Sequence, residues 1–289
     1  MALVARILIV DGAPTAAQDD LVRHGGARLG DNYRAALNSQ LPPGLVTLDC
    51  FILAAGDGAH LPRGLGLSDF DGIAWTGSPL SAYEDRLVVT TQVEFARAAF
   101  ASGIPCFGSC WGLQVMAVAL GGSVRRHPNG PEIGVCRQII QTQMGRSHPM
   151  YDGKASVFDA LCVHQDEVCA LPKGANLLAS NDFCTVQAAE CAEGEKSFWG
   201  VQYHPEYALS QLAALFSRSA ERLVTSGFAA TLADANTIAA DFLTLHRDAN
   251  RKDLAWRYGI GADILDPQRH RREFGNWLRA KVLPRTRKV

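Results

Sequence analysis

The sequence lacks an uninterrupted apolar segment of the length that spans a bilayer, so we expect no membrane-spanning helix and no membrane partner. The first apolar run, Ala2 to Val10, is short and contains Arg6, so no secretory signal is expected. Neither charge predominates, because 28 Lys and Arg are balanced by 29 Asp and Glu, for a net charge of −1. This balance gives no electrostatic basis for binding nucleic acid.

Metal and nucleotide motifs are also missing. There is no C-x-x-C pair, so no metal site and no cofactor is expected. The chain has no G-x-x-x-x-G-K-[ST] loop, and the turn that begins at Asp11 lacks the G-x-G-x-x-G pattern of NAD-binding proteins. Without a secretory signal, the scattered cysteines are interpreted as reduced and mostly buried, which favours a cytoplasmic location. They are Cys50, Cys106, Cys110, Cys136, Cys162, Cys169, Cys184 and Cys191.

A cysteine flanked by glycines is the most informative feature that is present. The stretch Gly108-Ser109-Cys110-Trp111-Gly112 follows a short apolar run and precedes a helical pattern from Leu113 to Leu120. Glycines on both sides of a nucleophile are typical of a sharp strand-to-helix turn, where a β-carbon would crowd the bend. A thiol at such a turn lies at a helix N-terminus, whose dipole favours the thiolate. Cys110 is therefore a candidate nucleophile.

A second segment supplies the partners that a cysteine nucleophile needs. A strand pattern from Phe198 to Tyr203 ends in His204-Pro205-Glu206. The strand period places His204 and Glu206 on one side of the chain. A thiol needs a nearby base, and the imidazole needs a carboxylate that holds one tautomer. We therefore expect Cys110, His204 and Glu206 to act as nucleophile, base and orienting acid.

The two motifs, in this order, resemble the class I (triad) glutamine amidotransferases, and in particular the glutaminase domain of GMP synthase and the related γ-glutamyl peptidases. The resemblance covers residues 45–207. The order of the motifs differs from that of an α/β-hydrolase, in which the acid lies between nucleophile and histidine. The resemblance implies glutamine or a γ-glutamyl compound as substrate.

The resemblance also implies roles for residues outside the triad. The backbone N–H groups of Ser78 and Trp111 would form the oxyanion hole, with serine at a position where the family usually has glycine. Asp166, in the segment that resembles the family's Ser-His-x-Asp, is a candidate partner for a substrate ammonium group. His164 ranks below His204 as the base because no glutamate lies two residues after it. The residues that would contact substrate are Gly77, Gln114, Val163 and His164.

Strand and helix patterns alternate in the first half of the chain, which predicts an α/β fold with a mostly parallel sheet between helical layers. The resemblance implies a flavodoxin-like three-layer sandwich with a small antiparallel part. The segment after the first strand, through Gly26, is interpreted as a long loop, and Asp31 as the N-cap of a helix over 32–38. A strand is expected over 184–189. We expect an amidotransferase domain over 1–225 and a helical extension over 226–289.

Three hypotheses for the activity remain open. The chain is a glutaminase that delivers ammonia to a separate ATP-dependent synthetase subunit, or it is a stand-alone γ-glutamyl hydrolase. A catalytically idle regulatory module is the third, and the intact Cys110, His204 and Glu206 count against it. The acceptor of ammonia is not indicated by the sequence. A homodimer is a further option.

Overall fold

A computed structural model describes residues 3–41, 44 and 46–286 of the chain. The strands of this part are β1 Leu3–Asp11, β2 Val46–Ala54, β3 Gly72–Trp75, β4 Cys106–Ser109, β5 Ser123–Arg126, β6 Glu132–Gln141, β7 Val157–His164, β8 Asp166–Ala170, β9 Asn176–Ser180, β10 Ala188–Glu193 and β11 Lys196–Val201. The helices are α1 Thr15–Arg23, α2 Leu29–Asn38, α3 Leu87–Ala101, α4 Trp111–Ala119, α5 Gln143–Arg146, α6 Leu209–Arg218, α7 Ala220–Thr225, α8 Leu232–Arg247, α9 Lys252–Tyr258, α10 Ala262–Leu265, α11 Pro267–His270 and α12 Arg272–Trp277, and a π-helical turn, Leu278–Val282, follows α12.

One large sheet organises the chain. Its strand order is β2-β1-β3-β4-β11-β10-β9-β6-β7. The strands from β2 to β11 in this order are parallel, whereas β11, β10, β9, β6 and β7 pair antiparallel. Strands β5 and β8 form a separate antiparallel pair. The expected α/β fold is confirmed, and its antiparallel part continues the same sheet.

Both faces of the parallel half are buried, as the apolar run over residues 7–10 of β1 predicts. Leu8 and Val10 point into a core shared with α3 and α4, whereas Ile7 and Ile9 point into a core on the other face. The second core includes Phe107 of β4 and residues of α2. Helices therefore cover the sheet on both sides, and the carboxyl ends of the parallel strands stay open for a site.

The C-terminal helices take part in this packing. Helix α8 packs against α6, and Phe242 belongs to the same apolar cluster as Phe216. Phe274 and Trp277 of α12 lie in the core beneath the sheet, next to Phe107. The last helices thus complete one layer of the α/β core. The domain boundary after residue 225 stays a prediction.

Three local expectations were wrong. Residues Thr15–Arg23 form helix α1 instead of a loop, and Leu21 of this helix is buried. Helix α2 begins at Leu29 with Arg28 at its N-cap, and Asp31 lies in the first turn, where its carboxylate pairs with Arg34. A carboxylate in the first turn still complements the helix dipole. The acidic residue therefore indicated the beginning of a helix, but not the exact residue at which the helix begins. The strand expected over 184–189 begins only at Ala188.

Candidate active site

Cys110 lies in the sharp turn between β4 and α4. Its φ of 51° and ψ of −102° are outside the regions that L-residues normally adopt. The flanking glycines allow the turn to pack closely: a β-carbon on Gly108 would lie 2.7 Å from the Gly112 carbonyl carbon, and one on Gly112 would lie 2.6 Å from Trp75 Cβ. The strained turn holds the side chain of Cys110 at the carboxyl end of the sheet.

Strand pairing brings His204 to the same place. Strands β4 and β11 are parallel neighbours, with Ser109 opposite Val201, and the backbone N–H of Cys110 donates to the Val201 carbonyl over 2.7 Å. The chain after Val201 therefore starts beside the cysteine. The His204 imidazole and the Cys110 side chain line the same cavity, and they lie close enough for a negative charge on the sulfur to raise the pKa of His204. The structure thus brings together the two side chains that the sequence places 94 positions apart.

Glu206 completes the arrangement. Its Oε1 lies 2.6 Å from His204 Nδ1, and both side chains are buried. The Tyr207 ring stacks on the imidazole with a centroid distance of 4.0 Å and an angle of 3° between the planes. The carboxylate and the stacked ring fix the orientation of His204, so that Nε2 is the nitrogen left for Cys110.

Burial alone would lower the pKa of His204. The negative charges of Glu206 and of the Cys110 thiolate outweigh burial, and they raise the pKa of His204 from 6.5 to about 10. The imidazolium is therefore the stable form at neutral pH when the cysteine is a thiolate. An imidazolium beside the thiolate is the proton donor that a departing amine requires.

A second hydrogen bond holds Glu206, and the sequence analysis did not include its donor. Ser109 Oγ donates to Glu206 Oε1 over 3.0 Å, and the Tyr33 hydroxyl donates to Ser109 Oγ over 2.9 Å. Ser109 directly precedes the nucleophile in the Gly-Ser-Cys-Trp-Gly motif, so its position was a usable signal. Tyr33 of α2 carries no such signal, because the contact depends on how α2 packs on the sheet.

The predicted oxyanion donors lie in the loop after β3 and at the start of α4. The N–H of Trp111 is the first of α4 and has no intrahelical acceptor. Ser78 lines the cavity over Cys110, and its Oγ donates to the Gly12 carbonyl over 2.9 Å. The oxyanion role of its backbone N–H stays a prediction. Gly77 has a steric role: a β-carbon there would lie 2.8 Å from His204 Cε1.

Three of the predicted substrate contacts, Gln114, Val163 and His164, line the cavity that contains Cys110, whereas Gly77 is not among its lining residues. Gln114 is buried, and its amide nitrogen donates to the Asp166 carbonyl over 3.0 Å. His164 has both ring nitrogens engaged by the protein, with Nε2 2.8 Å from a Glu132 carboxylate oxygen and Nδ1 3.0 Å from the Asp166 carbonyl oxygen. Val163, at the end of β7, lines the same cavity as these side chains. His164 is thus held as part of the wall, which leaves His204 as the imidazole available to the cysteine.

A cavity of about 660 Å³ opens over Cys110 and His204. Its volume is in the usual range for sites that bind drug-sized molecules. Two arginines of the α6–α7 region, Arg218 and Arg222, line it, and Asp166 is the one carboxylate among the described residues of its wall. The apolar part of the wall includes Leu21, Leu29, Leu215, Phe216 and Leu223. Helix α1, which was expected to be a loop, supplies Leu21.

In a comparison against protein families, residues 59–220 match the model of glutamine amidotransferase class-I, in agreement with the geometry of the site. The chain belongs to the class I glutamine amidotransferases. The resemblance inferred from the two motifs is confirmed.

This amidotransferase is similar in sequence to a γ-glutamyl amide hydrolase and to GMP synthases. A γ-glutamyl-L-1-hydroxyisopropylamide hydrolase of a Pseudomonas species is 35% identical over 286 residues, which cover 96% of this chain and 94% of the relative. The GMP synthase of Neisseria meningitidis serogroup B is 35% identical over 136 residues, which cover 47% of this chain and 24% of that enzyme. The match to GMP synthase therefore spans about a quarter of that protein.

Solved structures show the same fold. A glutamine amidotransferase from Thermotoga maritima has a TM-score of 0.62 and 17% identity, and the match covers 91% of this chain and 98% of that one. A glutamine amidotransferase from Methylobacillus flagellatus has a TM-score of 0.64 and 17% identity, with 99% and 97% covered. The second match includes the C-terminal helices of this amidotransferase, so they belong to the shared fold.

One group of side chains in the amidotransferase has the residue types of a metal site. Ligand atoms of Glu132, Cys136 and Cys162 lie within 4.8 Å of one another. Burial raises the pKa of both thiols, which disfavours the thiolates that bind metals, and Gln187 and His164 already hydrogen-bond to Glu132. We interpret the group as a buried hydrogen-bonded cluster. Among the described residues, no helix is both long and apolar enough to cross a membrane.

Proposed function

We propose that this amidotransferase hydrolyses γ-glutamyl amides through a thioester on Cys110, and that it acts without a synthetase subunit on amides whose amine is larger than ammonia. The observation that carries the proposal is the cavity, which starts at the Cys110–His204–Glu206 arrangement and extends past it to the α6–α7 region. The Pseudomonas hydrolase supports it, because that enzyme matches this chain along almost its whole length.

The first half of the reaction forms the acyl-enzyme. The Cys110 thiolate attacks the γ-carbonyl carbon, and the negative charge moves to the carbonyl oxygen, which the N–H groups of Ser78 and Trp111 would hold. His204 gives its proton to the amide nitrogen, and the C–N bond breaks. The products of this step are a γ-glutamyl thioester on Cys110 and a free amine.

The second half releases glutamate. Neutral His204 takes a proton from a water molecule while the oxygen of that water attacks the thioester carbonyl carbon. The C–S bond breaks, and the Cys110 thiolate and the imidazolium are restored. Glu206 stays hydrogen-bonded to Nδ1 in both halves and stabilises the positive charge each time His204 carries it.

The walls of the cavity indicate what the substrate carries at each end. Gln114 and Asp166 line the cavity, and the resemblance implies that Gln114 contacts the amino-acid end of the substrate and that Asp166 pairs with its ammonium group. The apolar side chains of α1, α6 and α7 would contact the carbon atoms of the amine. Arg218 and Arg222 would donate hydrogen bonds to a hydroxyl or carboxylate on that amine. We therefore propose an amine with a small apolar body and one acceptor group.

The test is a panel of glutamine and γ-glutamyl amides that differ in the amine. We expect glutamate release without a second protein or ATP, and a higher kcat/KM for γ-glutamyl amides of amino alcohols and amino acids than for glutamine. Cys110→Ala is expected to abolish release, whereas Cys169→Ala, which removes an exposed thiol, serves as the matched control. Turnover that survives in Cys110→Ala would remove the nucleophile from the proposal.

The relation to GMP synthase supports a second candidate, a glutaminase that works with a separate synthetase. Its signature is glutamine hydrolysis that appears only when a second protein and ATP are present. Glutamine preferred over every larger amide in the panel would favour this candidate. No release from any member, with or without a second protein, would favour the idle regulatory module.

We also propose a cytoplasmic location. All eight cysteines are free, and most of them are buried. Unpaired thiols in this number are typical of a reducing compartment. Cell fractionation with an antibody against the chain tests this proposal, and recovery in a secreted fraction would contradict it.

A further inference from the structure

We propose that α11 and α12 hold the loop of His204 and Glu206 in its reactive position. Three side chains of these helices, His270, Glu273 and Phe274, are together called the clamp. The effect of the clamp on turnover is measured with a γ-glutamyl amide, so this part of the proposal rests on the proposed function. The clamp lies beyond residue 220, where the match to the family model ends.

Glu273 holds the residue directly before His204. The Tyr203 hydroxyl donates to Glu273 Oε1 over 2.6 Å, and the same oxygen lies 2.6 Å from Lys154 Nζ. Tyr203 and Glu273 are fully buried, so neither group can exchange its partner for water. The Tyr151 hydroxyl, 3.1 Å from that of Tyr203, extends the network. Breaking one partner of such a buried pair leaves the other unpaired, so the contact resists displacement of the chain at Tyr203.

His270 holds the residue directly after Glu206. Its Nε2 lies 2.9 Å from the Tyr207 carbonyl oxygen. Burial lowers the pKa of His270 from 6.5 to about 3, so the ring is neutral and donates one N–H to that carbonyl. Tyr207 is the residue whose ring stacks on His204. The hydrogen bond therefore fixes the surface against which the catalytic imidazole packs.

Phe274 acts through Tyr33. The two rings meet edge to face, with centroids 5.1 Å apart and planes at 68°. The Tyr33 hydroxyl donates to Ser109, which in turn donates to Glu206. Displacing Phe274 would free the Tyr33 ring and loosen the hydrogen bonds that hold the Glu206 carboxylate.

The three contacts reach the catalytic loop from both sides. Tyr203 and Tyr207 flank the His204–Glu206 segment, and Ser109 holds the acid itself. None of the clamp side chains lines the cavity over Cys110. The clamp residues are therefore positioning residues, which act through their neighbours and not through contact with substrate.

The experiment compares Glu273→Ala with Trp277→Phe in the full chain. Trp277 is equally buried in the same helix, and its indole nitrogen has no hydrogen-bond partner among the described residues, so its replacement reports on lost packing alone. Each rate is divided by the concentration of active sites, which is the amount of folded protein whose Cys110 thiol still reacts with a thiol reagent. We expect Glu273→Ala to lower kcat about 10- to 100-fold with KM unchanged, because small misplacements of reacting groups have effects of this size. Trp277→Phe should keep the kcat of the wild type.

Two further variants sharpen the test. Glu273→Gln keeps an acceptor for Tyr203 and for Lys154, so we expect it to recover most of the lost rate. Tyr203→Phe removes a single hydroxyl and keeps the ring, and it carries the test if Glu273→Ala does not fold. We expect Tyr203→Phe to lower kcat in the same direction and by less, because the pair of Glu273 and Lys154 remains.

A second readout needs no substrate. The rate at which iodoacetamide alkylates Cys110, followed by peptide mass spectrometry with the exposed thiol of Cys169 as reference, depends on the imidazolium beside the thiolate. We expect Glu273→Ala to slow alkylation of Cys110 and to leave Cys169 unchanged. This result together with no hydrolysis of any amide by the wild type would contradict the proposed function and keep the clamp. Equal alkylation rates in Glu273→Ala, Trp277→Phe and the wild type would overturn the clamp, even if Glu273→Ala lowers turnover.

Discussion

The strained backbone at Cys110 predicts that glycine at this position gives a more stable protein than alanine does. A residue with a β-carbon at φ 51° and ψ −102° costs about 1–3 kcal/mol. Glycine adopts this conformation freely but loses more chain entropy on folding than alanine, about 0.5–1 kcal/mol. The difference leaves Cys110→Gly more stable than Cys110→Ala by about 1 kcal/mol, or about 2 °C in Tm for a chain of this size.

Both Cys110 variants lack the thiol, so the comparison isolates the backbone. Cys106 supplies the matched pair, because it lies four residues earlier in the regular strand β4 and is fully buried. There Cys106→Gly should be less stable than Cys106→Ala by about 1 kcal/mol, since extended backbone gains nothing from glycine. The assay is urea unfolding at constant temperature for the four variants. The same sign of the Gly–Ala difference at both positions would refute the assignment of strain to Cys110.

Two further predictions concern His204. Gly77→Ala places a β-carbon 2.8 Å from His204 Cε1, so we expect kcat/KM to fall about 10-fold or more. The control is Gly261→Ala, which should leave kcat/KM unchanged because a β-carbon there meets no atom within 4 Å. Equal kcat/KM values for the two variants would contradict the contact with His204. Because the pKa of His204 is about 10, its proton is lost only as pH rises through that value. We therefore expect kcat/KM to stay high to about pH 9 and then to decline. Glu206→Gln removes the negative charge that raises this pKa, so it should move the decline to lower pH. A decline that stays at the same pH in Glu206→Gln would show that another group titrates.

The parts of the site that the sequence predicted are those set by local chemistry. A glycine-flanked cysteine between a strand and a helix specifies its own turn, and His-Pro-Glu specifies the pairing of base and acid within three residues. The contact between Cys110 and His204 then follows from two strands that end side by side in a parallel sheet. Local sequence and one rule of sheet topology were sufficient for this part.

The remaining parts depend on contacts between distant segments. Ser109 hydrogen-bonds to Glu206 across 97 positions, and Tyr33 to Ser109 across 76 positions. The motif around Cys110 marks Ser109, but no local pattern marks Tyr33 or either pairing. The segment that forms helix α1 predicts a loop because glycines, which favour turns, follow it at Gly25 and Gly26, whereas the structure has a helix from Thr15 to Arg23. The apolar pattern of the C-terminal helices was visible, but the position of Glu273 against Tyr203 is a product of tertiary packing.

The most direct measurement for the central claim is acid quenching of the enzyme during turnover of a γ-glutamyl amide, followed by mass spectrometry of its cysteine peptides. The account predicts a γ-glutamyl group attached to the sulfur of Cys110, present while substrate remains and absent in Cys110→Ala. Substrate consumed at full rate with every cysteine unmodified, or with the label on another side chain, would contradict it.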